Sequence, residues 1–568
     1  MADVSSVVVE SGEISCSGVV LDIEHGLVLT VGGILNGSKT PCFDQDLKFF
    51  DNKERLERPS VHVILKTSPA KNTRTDAPKE FVKLSADILV AWKVKDLHDL
   101  FQRVFPGDEW KLGETPIRTE SEKRENCDNR RQEMACQSNK DLSKFVLLQV
   151  NDLRRHLLQS DSCLLVDQDV RPCGSIRPGD AVVTVGTPFG SECPEVFFNS
   201  LSKGIVSNVI GLDCMALLTD ARVVPGCEGC PVFVSSMERK NMLTKGALYG
   251  ITVAPFCWRQ GELIGLTLVC SIRQILVHLR QISNPETIPV QVNQLLSHSN
   301  LMKDHHHLEN LLKPTNNGLL CSPDNSNSVA KVMSSVVLVQ CGRTWGSGFI
   351  VDEKRRLIVT CSHIISEAKG NKCTISVRQS YPNHLWFHAE VIFVHDPNVF
   401  DFALLRIAST LAMLSKDMDK FSALTPRSDY AFKRGENVFV IGYSIFGSSV
   451  QKTGPSLTSG VLSNFSALKG EVVLLQSTAA VHCGGSGGAL VSMETGELLG
   501  MVTSNTKDAN SKLTFPNINY SLPVNLIMRL IKHALSGQQD LDEKNKLLSQ
   551  RMRGIWQLHQ ARGSTSKL

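Results

Sequence analysis

The sequence predicts an all-β protein of tandem double β-barrels, the first catalytically degenerate and the second active, with short C-terminal helices. Three observations predict it. A serine stands between paired glycines at Gly484-Gly485-Ser486-Gly487-Gly488-Ala489-Leu490. Upstream, a histidine ends one short apolar strand and an aspartate opens another. The segments around all three recur, in the same order, in the first half of the chain without the reactive side chains.

The serine segment has the composition of a nucleophile loop. Ser486 must sit on a tight turn, and the backbone N–H groups around it must converge where a tetrahedral intermediate becomes negative. Glycines allow positive φ and close approach of a substrate backbone. By position, the N–H groups of Gly484 and Ser486 would form the oxyanion hole. Alone, such a turn also fits an ordinary loop. Ile358-Val359-Thr360-Cys361-Ser362-His363 reads as an apolar strand that delivers His363 at its end. Asp401-Phe402-Ala403-Leu404-Leu405-Arg406-Ile407 places a carboxylate at the start of another, partly buried and in need of a partner such as an imidazole N–H. Asp396 competes with Asp401 for that role, and Asp401 is preferred because it directly precedes the strand. The chain order His363, Asp401, Ser486 is that of the chymotrypsin-like architecture and differs from the subtilisin-like and α/β-hydrolase orders.

These segments, with Gly346-Ser347-Gly348-Phe349-Ile350-Val351, Gly496-Glu497-Leu498-Leu499-Gly500 and Tyr520-Ser521-Leu522-Pro523, resemble the trypsin-like, Deg-type serine proteases over roughly residues 333–535. No later stretch is long enough for the PDZ domains many of that family carry. The chain ends Ser566-Lys567-Leu568, a receptor-read peroxisomal address, after a flexible Gly563-Ser564-Thr565. A polar tail is the plain alternative. With that ending, the chain resembles the peroxisomal leader peptide-processing proteases, a family that removes targeting leaders from imported enzymes. The resemblance implies a peroxisomal matrix location, peroxisomal matrix enzymes as substrates and the import receptor as partner. It also implies a catalytic triad of His363, Asp401 and Ser486 without metal or cofactor. Ala480, six residues before the nucleophile, lies at the base of the S1 pocket in this architecture. It supplies no charge, so a small or apolar P1 residue is expected, and the resemblance suggests cysteine. Thr503-Ser504-Asn505 is the expected edge that pairs with substrate backbone.

The first half repeats the second. Cys16-Ser17-Gly18 matches Gly346-Ser347-Gly348, and in the ungapped continuation Gly33 takes the histidine position. Lys144-Phe145-Val146-Leu147-Leu148 puts Lys144 at the acid, and Gly226-Cys227-Glu228-Gly229-Cys230 puts Glu228 at the serine. Apolar strands such as Ala181-Val182-Val183-Thr184-Val185 remain. The first half is therefore expected to be a non-catalytic pseudoprotease domain.

The expected domains are 1–280, interrupted by an exposed, charge-rich insertion at 107–141; a proline-rich linker, 281–332; the catalytic domain, 333–535; and a helical tail, 536–568. Apolar residues at helical spacing predict one helix at 524–531 and another through Leu548, Met552 and Ile555. The insertion carries Cys127 and Cys136, which makes it the expected place of self-cleavage. At 568 residues and 42% hydrophobic, the chain can build several cores. A net charge of +4 gives no case for nucleic acid or a membrane surface. No apolar run reaches the length of a membrane span. The start lacks the pattern of a secretory signal, so the 17 cysteines read as thiols and not disulfides. Cys227 and Cys230, and His305-His306-His307, lack the partner spacing of a metal site. A homo-oligomer is compatible with the sequence. Two other functions fit the same features: a general degradative peroxisomal protease, and a non-catalytic chaperone or binding protein of protease fold.

Overall fold

The computed structural model describes residues 6–35, 46–50, 60–66, 81–106, 110–112, 142–157, 176–235, 247–255, 257–259, 262–284, 286, 288–297, 328–368, 374–379, 385–395, 400–408, 422–443, 454–507, 514–536 and 566–567. The valine-, isoleucine- and leucine-rich runs form strands because such side chains fill a pleated, buried surface. The strands close into four barrels.

In the first barrel the order is Phe81–Lys93, Val61–Lys66, Ser6–Ser11, Ile14–Asp22, Leu27–Val31, Lys144–Val150, and the last strand pairs back to the first. The third has the same order: Leu385–Val394, Ile375–Gln379, Val336–Cys341, Thr344–Asp352, Leu357–Thr360, Ala403–Ile407. The second barrel runs Ser200–Ile210, Ala216–Thr219, Thr267–Ser271, Ala247–Ala254, Pro231–Ser235, Ala181–Gly186. The fourth repeats it with Ser456–Leu468, Glu471–Ser477, Thr514–Pro523, Leu498–Lys507, Ala489–Ser492, Asn437–Gly442. Closure removes the exposed strand edges an open sheet would present. Even the irregularities repeat. The register slips between Val20 and Asp22 as it does between Ile350 and Asp352, and between Thr252 and Ala254 as between Val502 and Ser504. Buried aliphatic clusters fill the barrels, for example Val438, Val440, Leu462, Leu475, Leu490 and Leu499 in the fourth.

A helix follows each barrel pair. Ile272–Ile282 starts with the Ser271 hydroxyl accepting the Gln274 N–H, and Val524–Ser536 buries Leu526, Ile527, Leu530 and Ile531. No helix among the described residues is long and apolar enough to cross a membrane. The ten cysteines among them are thiols and not disulfides. Burial pushes the Cys227 thiol up to about 11, as expected of small residues packed in a core.

The chain divides into two compact units, the boundary lying between Asn316 and Asn317 and the short pieces Arg177–Gly179 and Glu262–Gly265 grouping with the second. Three expectations need correction. The insertion at 107–141 is not exposed throughout: Trp110–Leu112 is a strand paired with Cys257–Arg259, and Trp110 and Leu112 are buried. Its remainder, with Cys127 and Cys136, lies outside the described residues. The stretch 281–332 is not all linker. Val290–Ser297 is a helix that buries Val292, Leu295 and Leu296, with Pro289 just before its first turn, where a proline is tolerated. Ser328–Ser334 is a helix as well; His305-His306-His307 lies outside the described residues. Finally, Ser566–Lys567 is a strand where a free helical tail was expected. The helix through Leu548 and Ile555 lies outside the described residues.

Candidate active site

His363 is delivered by the buried strand Leu357–Thr360. Its Nδ1 lies 2.5 Å from Asp401 Oδ2, both side chains being largely buried. The other carboxylate oxygen accepts the Ser362 hydroxyl at 2.7 Å and the His363 backbone N–H at 3.0 Å. Asp401 is aimed by register, because Thr360 stands opposite Ala403 across the paired strands. A ring whose Nδ1–H is held by a carboxylate carries its lone pair on Nε2, the nitrogen that can act as a base. Asp396 lies outside the described residues.

Ser486 precedes the strand Ala489–Ser492. Gly484 and Gly487 bracket it at φ 85° and 80°. A Cβ on Gly484 would lie 1.9 Å from the Trp345 ring, and one on Gly487 2.0 Å from the Ser347 carbonyl oxygen. Only glycine fits either place. The loop is fastened by a residue that sequence reasoning did not single out. Ser347 Oγ donates to the Gly484 carbonyl (2.7 Å) and accepts the Tyr443 N–H (2.8 Å), while its backbone N–H donates to the Ser486 carbonyl (2.8 Å). Thr360 Oγ1 in turn donates to the Ser347 carbonyl at 2.7 Å. The histidine and serine loops also meet on Val502, whose carbonyl accepts the Cys361 thiol and the Gly487 N–H. Ser486 is fully buried, and its hydroxyl donates to the Thr503 carbonyl at 3.1 Å.

Thr503 is the residue at the register slip of the strand Leu498–Lys507, so the strand bends where the expected substrate edge begins. The Thr503 hydroxyl is held by the Tyr520 carbonyl, and the Asn505 amide donates to the Val481 carbonyl. The Thr503 and Asn505 side chains are thus held by the scaffold. Ala480 is buried, its carbonyl accepting the Thr458 hydroxyl. Beside it His482 is buried with neither ring nitrogen hydrogen-bonded, and burial pulls its pKa down to about 3. Cys361, His363 and Asp401 offer ligand atoms within 4.8 Å of one another. A metal bound through Nδ1 there would have to break the His363–Asp401 hydrogen bond.

The first half holds the same frame around different side chains. Gly226 and Gly229 have φ 93° and 83°. Ser17 Oγ donates to the Gly226 carbonyl and Ser17 N–H to the Glu228 carbonyl, both at 2.8 Å, and Thr30 Oγ1 donates to the Ser17 carbonyl at 2.8 Å. At the serine position, the Glu228 carboxylate turns back onto the Gly226 N–H (2.7 Å) and its own N–H. Thr30 stands opposite Val146, which sets Lys144 where Asp401 stands in the second unit. Nothing lies within 4 Å of a Cβ placed on Gly33.

The barrel order, the histidine–aspartate pair and the glycine-bracketed serine make the second unit a trypsin-like peptidase domain in fold. Residues 346–501 match the family model described as a trypsin-like peptidase domain. The chain is similar to the peroxisomal leader peptide-processing protease of Homo sapiens, 34% identical over 404 residues, covering 70% of this chain and 64% of that protein. The Mus musculus protein of the same name is 33% identical over 403 residues, covering 68% of this chain and 61% of its own. The match thus spans a little under two thirds of both relatives. The periplasmic serine endoprotease DegP of Escherichia coli (strain K12) is 28% identical over 186 residues, 33% of this chain and 34% of that protein.

Proposed function

We propose that the chain is a serine endopeptidase of the peroxisomal matrix that cleaves imported matrix enzymes, removing leaders or cutting at specific internal sites. The observation that carries the reading is the Asp401–His363 pair in the same domain as Ser486 on a loop only glycines can form. The relatives' names, peroxisomal leader peptide-processing protease, support the peroxisomal location and the removal of leaders.

In this mechanism the Ser486 hydroxyl leaves the Thr503 carbonyl and gives its proton to His363 Nε2 as the oxygen attacks the peptide carbonyl. The imidazolium formed is stabilised by Asp401, which the Ser362 hydroxyl and the His363 backbone N–H hold in place. The Gly484 and Ser486 N–H groups take the negative charge of the tetrahedral intermediate. Such a donor is typically worth about 10²–10³ in turnover. His363 then protonates the leaving amine, and water repeats the cycle on the acyl-enzyme. Residues of the first unit take no part in these steps. Ala480 leaves S1 uncharged and suited to a small or apolar P1 side chain. Self-cleavage within 107–141 belongs to the same reading. The test is to incubate purified wild-type and Ser486→Ala proteins with a leader-bearing peroxisomal enzyme and read the products by mass spectrometry. Discrete cleavage by wild type alone is expected. Equal cleavage by both, or none by either, contradicts the reading.

A further inference from the structure

We propose that Arg378 is a positioning residue for the oxyanion loop: stacked on Tyr443, it fixes the backbone against which Gly484 is set. The inference rests on reading the Gly484 and Ser486 N–H groups as the oxyanion donors.

Arg378 is fully buried, its guanidinium carbon 5.6 Å from the centre of the Trp386 ring and 5.5 Å from that of Tyr443. A buried cation is costly to desolvate, and hydrophobic residues of similar volume often serve stability as well or better. Register explains the placement. Residues directly opposite on paired strands share a face, and Ser347, Leu338, Arg378 and Trp386 form one such row across four strands. Ser347 uses that face to reach the Gly484 carbonyl. Arg378 therefore lies on the face of the third barrel that meets the fourth. There it finds Tyr443, the first residue after the strand Asn437–Gly442.

Tyr443 bears on Gly484 in two ways. Its N–H donates to Ser347 Oγ, the group that holds the Gly484 carbonyl. Its own carbonyl oxygen lies 2.5 Å from where a Gly484 Cβ would stand, so the glycine is set directly against it. The attraction between a cation and a ring strengthens away from water. A Tyr443 ring held in this way leaves its backbone little room to shift.

The first unit serves as an internal control. Its matching row is Ser17, Val8, Ile64 and Lys83, and Thr187 takes the place of Tyr443. The bracing serine and threonine and the two glycines are retained there, as is the N–H bond from Thr187 to Ser17 Oγ. That barrel closes with isoleucine in the arginine's place, so the frame does not require the stack. What differs is the nest. In the first unit the Glu228 carboxylate occupies it and organises its N–H groups. In the second, Ser486 Oγ is turned to the Thr503 carbonyl, and the loop has no carboxylate to offer. N–H groups that must converge before the anion forms need support from behind. Trp386, Arg378 and Tyr443 supply it in the unit whose nest meets a transient charge.

The test follows labelling of Ser486 in the full chain by a fluorophosphonate. Ser486 Oγ bonds to phosphorus, fluoride leaves, the hydroxyl proton passes to His363, and the phosphoryl oxygen takes the oxyanion's place. Arg378→Ile and Tyr443→Thr exchange each residue for its first-unit counterpart. Each should slow the second-order labelling rate about tenfold, with Tm not lowered. Tyr443→Phe keeps the ring and should recover most of the rate that Tyr443→Thr loses. The double variant should be no slower than either single variant, because the arginine acts through the ring. Labelling of Arg378→Ile at the wild-type rate, multiplied losses in the double variant, or equal slowing by Tyr443→Phe and Tyr443→Thr overturns the proposal. So does a lowered Tm in Arg378→Ile, which would assign the arginine to the fold. Each of these outcomes leaves the peptidase reading standing. A wild-type protein that does not label overturns that reading, and this proposal with it.

Discussion

The two loops at Glu228 and Ser486 share a frame and differ in what it holds. In each, a serine hydroxyl on the neighbouring barrel (Ser17 or Ser347) donates to a glycine carbonyl, a threonine (Thr30 or Thr360) braces that serine, and two glycines adopt positive φ. In the second unit the short Ser486 side chain cannot reach back to its own N–H groups, and its hydroxyl rests on Thr503. In the first, Glu228 reaches back and fills the nest with its carboxylate. The histidine position is glycine and the acid position is lysine. The frame is thus a structural device independent of the side chain it presents: it ties each barrel to its partner with a serine or a glutamate at its centre. The difference teaches that the glycines and the bracing serine belong to the fold, since they recur in both halves, while the histidine, aspartate and serine stand together in one half only.

The largest test of that contrast is Ser486→Ala against Glu228→Ala. Removing the nucleophile should cut kcat by about 10⁴-fold or more. Glu228→Ala should leave kcat within about twofold, measured on a peptide substrate, because no proposed step passes through the first unit. Next come the matched glycines. Gly487→Ala and Gly229→Ala meet carbonyl oxygens at 2.0 and 2.1 Å, so both should lower the Tm of the unit that carries them. Only Gly487→Ala should also lower kcat, by about 10²-fold or more, as the oxyanion donors move. Equal loss of activity in both would mean the first unit takes part in catalysis. The matched serines come third. Ser347→Ala and Ser17→Ala each strip a buried hydrogen-bonded hydroxyl, at a cost of about 1–3 kcal/mol by denaturant titration. Ser347→Ala should slow turnover about 10-fold or more as well, and Ser17→Ala should not.

Acid should separate the two units in stability alone, with no change in turnover expected from it. His482 has a folded pKa of about 3 against an ordinary value near 6.5. Its contribution is therefore full above pH 6.5 and falls with pH, because the unfolded chain takes up the proton first, by about 3 kcal/mol at pH 4. Burial raises the Glu228 carboxyl above its usual range. The folded first unit then holds its proton more tightly than the unfolded chain does, a stabilisation present in acid and lost as pH rises through the folded value. His482→Leu should flatten the acid loss and Glu228→Gln the neutral loss, each read from Tm between pH 4 and 7. Unchanged pH profiles would contradict these environments.

Much of this contrast was legible in the sequence because it lies in short segments. A serine among glycines, a histidine after an apolar run and an aspartate before one each announce themselves locally, and their order names the architecture. The bracing residues did not, since Ser347 acts on Gly484 across 137 positions. The duplication held a usable signal for them: Ser17 and Thr30 repeat Ser347 and Thr360 although the residues matching His363, Asp401 and Ser486 have changed. The helix Val290–Ser297 was hidden by nearby prolines, and Trp110–Leu112 by its charged surroundings. The pairing of Ser566–Lys567 with the edge strand could not be read at all, because an antiparallel register with a distant strand leaves no mark in so short a segment.

The central claim is that one frame of the two carries the nucleophile. It is tested most directly by labelling the full-length protein with a fluorophosphonate and mapping the adducts by mass spectrometry. One stoichiometric adduct at Ser486, dependent on His363 and absent from residues 1–316, is the result expected. An adduct in the first unit, or labelling that persists in Ser486→Ala, would contradict it.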